Sequence, residues 1–297
     1  MGNNHDHSHS HSHQISNNIK IAFLLNLGFA ILEIFGGLWT NSLAIISDAI
    51  HDLGDSFSLG LAWYLENKSH QNSDRIFSYG YRRLSLLAAL INTLILSFGS
   101  LYVIFEAVPR IMNPEVSDAK GMILLAILGI AVNGLAMAKL FNKSSLNVSA
   151  VAWHLLEDIL GWVAVLIVSI VLLFKDYYIL DPILSILISA YILYNAIANL
   201  RKTIPLFLQA VPHNINIKKL EASIVALDRV ESIHHTHAWS LDGEHHVLTT
   251  HVVVVEGTSR KEIQSIKNAI QSVARDLNFE HITLEIEYTN EYCSMNA

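Results

Sequence analysis

Two short stretches place a histidine and an aspartate four residues apart inside long apolar runs. One is SDAIHDLGDS, with His51 and Asp55; the other is VAWHLLEDILGW, with His154 and Asp158. Four residues is about one helical turn, so each pair shares a helix face. An ionisable side chain in hydrocarbon costs roughly 3 kcal/mol or more on insertion scales. Two on one face point to a bundle interior, a metal or a proton path. Two imidazoles and two carboxylates can close an N2O2 shell, the tetrahedral coordination that zinc prefers. A single pair also reads as a hydrogen-bonded contact between helices. The repetition favours a ligand set.

The elements that must position these pairs are apolar runs. Six are expected, at 19–38, 43–66, 84–108, 119–141, 147–174 and 179–204. One set of ends carries Lys20, Lys68, Arg75, Arg82, Arg83, Lys139, Lys143, Arg201 and Lys202; the other carries Arg110, Lys120 and Lys175. The excess of positive charge predicts that both termini are cytoplasmic. At about 1.5 Å per residue, Asp55 falls about 18 Å from the outer end of its run and Asp158 about 16 Å from the inner end of its own. Both lie near the middle of a hydrocarbon core roughly 30 Å thick. They meet there if the second and fifth runs are neighbours.

Other polar groups lie in these runs. Asn26 and Glu33 share a face of the first, the third has Asn92 and the fourth Asn133. The asparagines are expected to bond between helices. Glu33 reads either as a proton carrier or as a protonated packing residue. Asp48 shares the face of His51, whereas Asp52 and Glu157 point about 100° away from the ligand positions and are weaker candidates.

Composition agrees with a membrane protein that has a soluble part. Of 297 residues, 52% are hydrophobic and 15% charged, with mean hydropathy +0.39. A net charge of −7 argues against a nucleic-acid partner. The single cysteine, Cys293, excludes an intrachain disulfide. The N-terminus has no pattern of a cleavable signal peptide. Residues 1–17 alternate His5, His7, His9, His11 and His13 with Asp and Ser, so a disordered cytoplasmic tail that gathers metal is expected. Residues 18–205 would form the six-span α-helical membrane domain, and 206–297 a small cytoplasmic domain.

Within that last part, helices are expected at 217–227 and 258–277 and strands at 230–241, 244–256 and 280–288. Asp242-Gly243 is the hairpin turn. The order αββαβ suits an open-faced α+β sandwich. Its strands hold His234, His235 and His237, then His245, His246 and His251, then His281, Glu285 and Glu287. Strand alternation predicts His235 and His237 on one face and His234 on the other. The density suggests one or two cytoplasmic metal sites.

These pieces together resemble the cation diffusion facilitator family. The likeness rests on Asn26…Glu33…Gly36, SDAIHDLGD at 47–55, YGYRR at 79–83 with LAALIN at 87–92, LNVSAVAWHLLED at 146–158, Asp181-Pro182 and HHTHAWSL at 234–241. It implies a homodimeric exporter of divalent metal driven by proton antiport, with a ferredoxin-like cytoplasmic domain. His51, Asp55, His154 and Asp158 would be its transport site. His234, His251 and Glu287, with Glu285 nearby, would be the cytoplasmic one. Where the family often has Glu two residues after Arg83, this chain has Ser85; where it commonly has an acidic residue at the exit from the membrane, this chain has Gln209. In the loop before the third run, His70 and Asp74 give sparse support for a further site.

The expected protein is therefore a Zn2+/H+ antiporter in a plasma (bacterial inner) membrane. Zn2+ is both cargo and regulatory ion, Cd2+, Co2+, Fe2+ or Mn2+ are possible substitutes, and no organic cofactor is needed. A membrane-embedded metalloenzyme would want an added base and an open coordination position. No His-Glu-x-x-His occurs. A metal sensor would explain the cytoplasmic histidines but not a buried, doubly charged pair.

Overall fold

The computed structural model describes the backbone of residues 8–69, 74–140, 146–293 and 295, and the side chains of residues 20, 23–61, 64, 74–138, 155–293 and 295. The chain divides into two compact units, 1–68 with 88–200 and 69–87 with 201–297.

The first unit is helical. The helices are α1 (Ser8–Thr40), α2 (Leu43–Ser69), α3 (Arg83–Met112), α4 (Ala119–Leu140), α5 (Leu146–Phe174) and α6 (Leu180–Phe207). Five of them, α1 and α3 to α6, hold a stretch long and apolar enough to cross a membrane. Among the described residues α2 does not reach that mark. It carries Asp48, His51, Asp52 and Asp55 within eight residues, which lowers its hydropathy. Helix α1 begins at Ser8, so the backbone of 8–17 is helical where disorder was expected. An existing helix grows at the gain of one hydrogen bond per residue, even through a sequence that would not nucleate one. Residues 1–7, with His5 and His7, and the side chains of His9, His11 and His13 lie outside the described set.

Helix α2 is held at both ends of its functional stretch. Its first turn has free backbone N–H groups, as every helix start does. Asp181 of α6 accepts from Leu43 N at 2.9 Å and Ala44 N at 3.4 Å, and also from the Ser42 hydroxyl. A buried carboxylate at a helix N-terminus satisfies those donors and matches the helix dipole. One turn further on, Ser47 and Ser189 share a hydrogen bond of 2.8 Å, again between α2 and α6. Towards the other end, Asn26 of α1 donates to Asp52 O and to Ser56 Oγ, both at 3.1 Å. Asn92 of α3 donates to Ser58 Oγ at 2.8 Å.

Ala44 and Ile45 of α2, Met122, Leu125 and Ala126 of α4, and Trp162, Val165 and Leu172 of α5 form one apolar cluster. Trp162 is 1% exposed. It fits because position 129 is glycine: a Cβ there would stand 2.3 Å from the indole ring. Asn133, expected to bond between helices, instead donates to Gly129 O of its own helix at 3.2 Å.

The second unit contains α7 (Ile217–Val225), β1 (Val230–Ser240), β2 (His246–Val254), α8 (Arg260–Arg275) and β3 (Phe279–Tyr288), the expected αββαβ order. The sheet runs β1-β2-β3, with β1/β2 antiparallel and β2/β3 parallel. Leu220 and Ile224 of α7 and Ile266, Ile270 and Ala274 of α8 pack on Leu248, Val252 and Phe279. Ser259 and Glu262 form a capping box on α8. The hairpin turns at Asp242-Gly243, where Gly243 takes φ +105°. Asp242 Oδ1 accepts from Glu244 N at 2.9 Å and His245 N at 2.8 Å. Burial pulls the Asp242 carboxyl upward, but these N–H groups and His245 outweigh it and hold it below its ordinary range.

The cap on α2 gives a stability test. Asp181→Ala leaves buried N–H donors without an acceptor, and loss of a cap costs about 1–2 kcal/mol. The melting temperature of the full chain in detergent should fall, and Asp181→Asn should recover part of the loss. An unchanged melting temperature in both variants would remove the cap from this account.

Candidate metal centres

In the first unit, the carboxylates of α2 and α5 come together. Asp48, Asp52 and Asp158 are 7%, 6% and 8% exposed, and Glu33 of α1 is 0% exposed. Asp52, Asp48 and Asp158 are all close enough to act electrostatically on Glu33. A side chain at Gly161 of α5 would meet Asp48 Oδ1 at 3.7 Å, so the two helices are direct neighbours. His51 and Asp55 lie 3.7 Å apart, Nε2 to Oδ2, and are both about one-quarter exposed (26% and 25%). Four carboxylates crowded away from water repel one another as anions. A shared proton or a bound cation relieves that repulsion. His154 lies on α5 one turn before Asp158, with its side chain outside the described residues. The structure thus brings Asp158 beside the His51/Asp55 helix. It also draws in Asp52, which the helical wheel set aside, and which is buried against α1 through its turn partner Asn26. Glu157 instead binds the Tyr191 hydroxyl.

In the second unit, the centre sits on the sheet face away from the two helices. His234 of β1 pairs with His251 of β2, and His251 with Glu285 of β3. Four residues offer ligand atoms within 4.8 Å of one another: His234, His251, Glu287 and Cys293. The shorter spacings are His251 Nδ1 to Glu287 Oε1 at 2.7 Å, His234 Nε2 to Glu287 Oε2 at 3.1 Å and Cys293 Sγ to His251 Nδ1 at 3.6 Å. The His234 nitrogen is near that carboxylate without the alignment of a hydrogen bond, and it is buried. An orphaned ring nitrogen facing a carboxylate, a second imidazole and a thiol suits a metal. Burial would raise the Glu287 carboxyl, but hydrogen bonds from His251 and Cys293 and the charges of His234 and His251 hold it down. Glu285 is more exposed, and its Oε2 lies 3.3 Å from the other ring nitrogen of His251. It flanks the cluster instead of joining the four.

Strand alternation failed at one place. Between His234 and His237 the register shifts, and His235 takes φ +48°. Such a bulge turns a side chain that simple alternation sends to the other face. The His235 ring accordingly lies 5.2 Å from that of His234 and 5.3 Å from that of His251. His246 stands apart from the histidines expected to hold metal. It is 1% exposed and packs edge-on against Phe279, and burial lowers its pKa from the ordinary value. His245 binds the turn aspartate Asp242 at 2.7 Å. Cys293 had been read only as an absence of disulfides. No spacing signal marks it, because a chain reversal after β3 places it: Glu291 N donates to Tyr288 O at 2.8 Å. As for the loop before α3, Asp74 is engaged by Ile76 N, Phe77 N and the Tyr81 hydroxyl, and His70 lies outside the described residues.

A helical membrane unit with clustered buried carboxylates beside a His51/Asp55 pair, joined to an αββαβ unit with a His/Glu/Cys cluster, is the architecture of a class of metal transporter. The chain belongs to the cation efflux family. The model of the cation efflux transmembrane domain matches residues 19–208, and that of the cation efflux protein cytoplasmic domain matches 212–289. A cadmium, cobalt and zinc/H(+)-K(+) antiporter of Bacillus velezensis is 31% identical over 97% of this chain and 92% of its own length. The zinc transporter ZitB of Pectobacterium atrosepticum is 31% identical over 95% and 89%. The solved metal-bound C-terminal domain of the CzcD transporter of Cupriavidus metallidurans is 27% identical, covering 25% of this chain and 99% of its own, at TM-score 0.22. The chain is therefore an integral membrane transporter for divalent-cation efflux, and not an enzyme.

As a metal centre, the cytoplasmic cluster predicts a sharp difference between neighbours. Glu287→Ala should weaken metal binding there by at least the about tenfold typical of losing a supporting partner. His237→Ala, on the same strand but outside the group, should leave binding unchanged. Titration of the purified full chain with Zn2+ checks both, and equal effects would dissolve the cluster as a site.

Proposed function

We propose that the chain exports Zn2+ in exchange for protons, using His51, Asp55, His154 and Asp158 as the transport site. The observation that carries the proposal is the burial of Asp158 on α5 against the acidic face of α2, next to the helix that bears His51 and Asp55. Cation and proton are alternative ways to offset one set of buried negative charges. Neutral imidazole binds metal and imidazolium does not, so protons arriving from outside compete for the same nitrogens. Two imidazoles with two carboxylates form a loaded site close to neutral. Cd2+ and Co2+ are further cargo on this reading, since the similar Bacillus protein is a cadmium, cobalt and zinc antiporter. Fe2+ and Mn2+ are weaker candidates, Mn2+ because it prefers oxygen ligands.

The rest of the reading follows from the family. The chain acts as a homodimer through its cytoplasmic domain, matching the family's dimerising segment at 212–289. It sits in a bacterial inner membrane with both termini in the cytoplasm, the orientation that the basic loop ends favour. The domain limits are 1–17 for the tail, 18–205 for the membrane part and 206–297 for the cytoplasmic part. Zn2+ at His234, His251 and Glu287 acts as a regulatory ion.

Two variants test the transport site. Asp158→Ala should abolish Zn2+ flux in proteoliposomes while the protein remains folded and inserted; normal flux would sink the four-ligand site. His51→Asp should keep transport but broaden it toward Cd2+ or Mn2+, since it exchanges a nitrogen for a harder oxygen. An unchanged metal profile in that variant would contradict the role given to His51.

A further inference from the structure

We propose that Cys293 is the fourth ligand of the cytoplasmic centre, a thiolate that closes a His234–His251–Glu287–Cys293 shell and selects thiophilic cations such as Cd2+ and Zn2+ over hard ones such as Mn2+. The proposal rests on the reading of that cluster as a metal centre, and it adds a ligand that neither spacing nor the family likeness assigned.

The geometry carries it. Zinc holds sulfur at about 2.3 Å and nitrogen at about 2.0 Å, so a tetrahedral S···N pair stands about 3.5 Å apart. Cys293 Sγ lies 3.6 Å from His251 Nδ1. A tetrahedral N···O pair stands about 3.4 Å apart on the same bond lengths. His234 Nε2 lies 3.1 Å from Glu287 Oε2. All four donor atoms lie within 4.8 Å of one another, and Cys293 is 5% exposed. The thiol is therefore not a surface group near a site but part of the wall.

Placement follows from the end of the chain. After β3 the backbone reverses at residues 289–290. Tyr288 N donates to the Glu291 carboxylate at 3.0 Å, and the Thr289 hydroxyl donates to Glu231 at 2.5 Å. These bonds lay residues 291–293 back on the sheet and deliver the thiol to the histidines. Metal binding would tie this segment to the sheet by a coordination bond.

Charge and orientation agree. A coordinating thiol loses its proton to solvent as the metal binds. One thiolate and one carboxylate then neutralise a divalent ion, with two neutral imidazoles. His251 would bind through Nδ1, which leaves its Nε2 facing the Glu285 carboxylate, 3.3 Å away. A carboxylate behind a metal-bound imidazole fixes its tautomer and ring orientation. Glu285 is thus a positioning residue. Sulfur is a soft donor, which is why the shell favours Cd2+ and Zn2+ over Mn2+.

The chain contains one cysteine, which makes the test clean. Purified full-length protein is titrated with Cd2+, following the thiolate-to-cadmium charge-transfer band in the ultraviolet, with calorimetry alongside. No other residue of the chain carries a thiol, so any such band reports Cys293. The expected result is a band that saturates at one Cd2+ per chain. Cys293→Ser should abolish it and weaken Cd2+ binding at this centre by about tenfold or more, with Mn2+ binding unchanged. His251→Ala should weaken the band as well. If Cd2+ binds, His251→Ala removes that binding, and yet no band appears, then the centre is real and Cys293 is not its ligand. If neither His251→Ala nor Cys293→Ser alters calorimetric binding, the centre itself is wrong.

Discussion

The cost of placing carboxylates out of reach of water governs this structure. Glu33, Asp48, Asp52 and Asp158 are all buried within the helical unit. Each would be expensive as an isolated anion in hydrocarbon. Together they are worse, because neighbouring anions raise one another's energy. A fold that retains such a cluster needs a positive partner for it. In the proposed antiport, protons and divalent cations are those partners. On that proposal, the instability of the empty, fully ionised cluster is the physical basis for coupling one flow to the other.

The surrounding structure serves to keep that cluster in one place. Asp181 caps α2 and Ser189 bonds Ser47, so the acidic helix is tied to α6 near its start. Asn26 and Asn92 tie its far half to α1 and α3. Trp162 lies against Gly129 and presses α5 onto α4, one turn beyond Asp158. Each tie is a satisfied polar contact or a close apolar one. The buried carboxylates thereby stay together on the side of α2 that faces α1 and α5. In the cytoplasmic unit the logic is similar on a smaller scale. The helices cover one face of the sheet with aliphatic side chains, and the other face keeps imidazoles, carboxylates and a thiol.

Much of this was legible from the sequence, because periodicity is a local property. The four-residue spacing of His51/Asp55 and His154/Asp158 and the αββαβ order follow from helix and strand repeats, whereas the grouping of His234 with His251 and Glu287 comes from the family resemblance. What escaped was set by irregular backbone or by neighbours. His235 changed faces because a bulge with positive φ interrupts the strand. His246 became a core residue because the sheet carries it beneath Phe279. Asp52 was discounted on a helical wheel, which assumes that only one face of α2 is buried; α1 covers the adjacent one. Asn133 bonds to the carbonyl of Gly129 one turn back on its own helix, an option that a spacing argument does not weigh. Cys293 depends on a reversal of the chain after the last strand, which no spacing rule encodes.

The central claim is that Zn2+ and protons compensate the same buried charge in turn. Proteoliposomes containing the full chain, loaded with a pH-sensitive dye and a Zn2+ indicator, measure both flows at once. The account predicts that Zn2+ movement is accompanied by proton movement in the opposite direction. Imposing a pH gradient should drive Zn2+ flux with no Zn2+ gradient present, and collapsing it should stop that flux. Zn2+ flux that ignores the pH gradient and moves no protons would contradict the account.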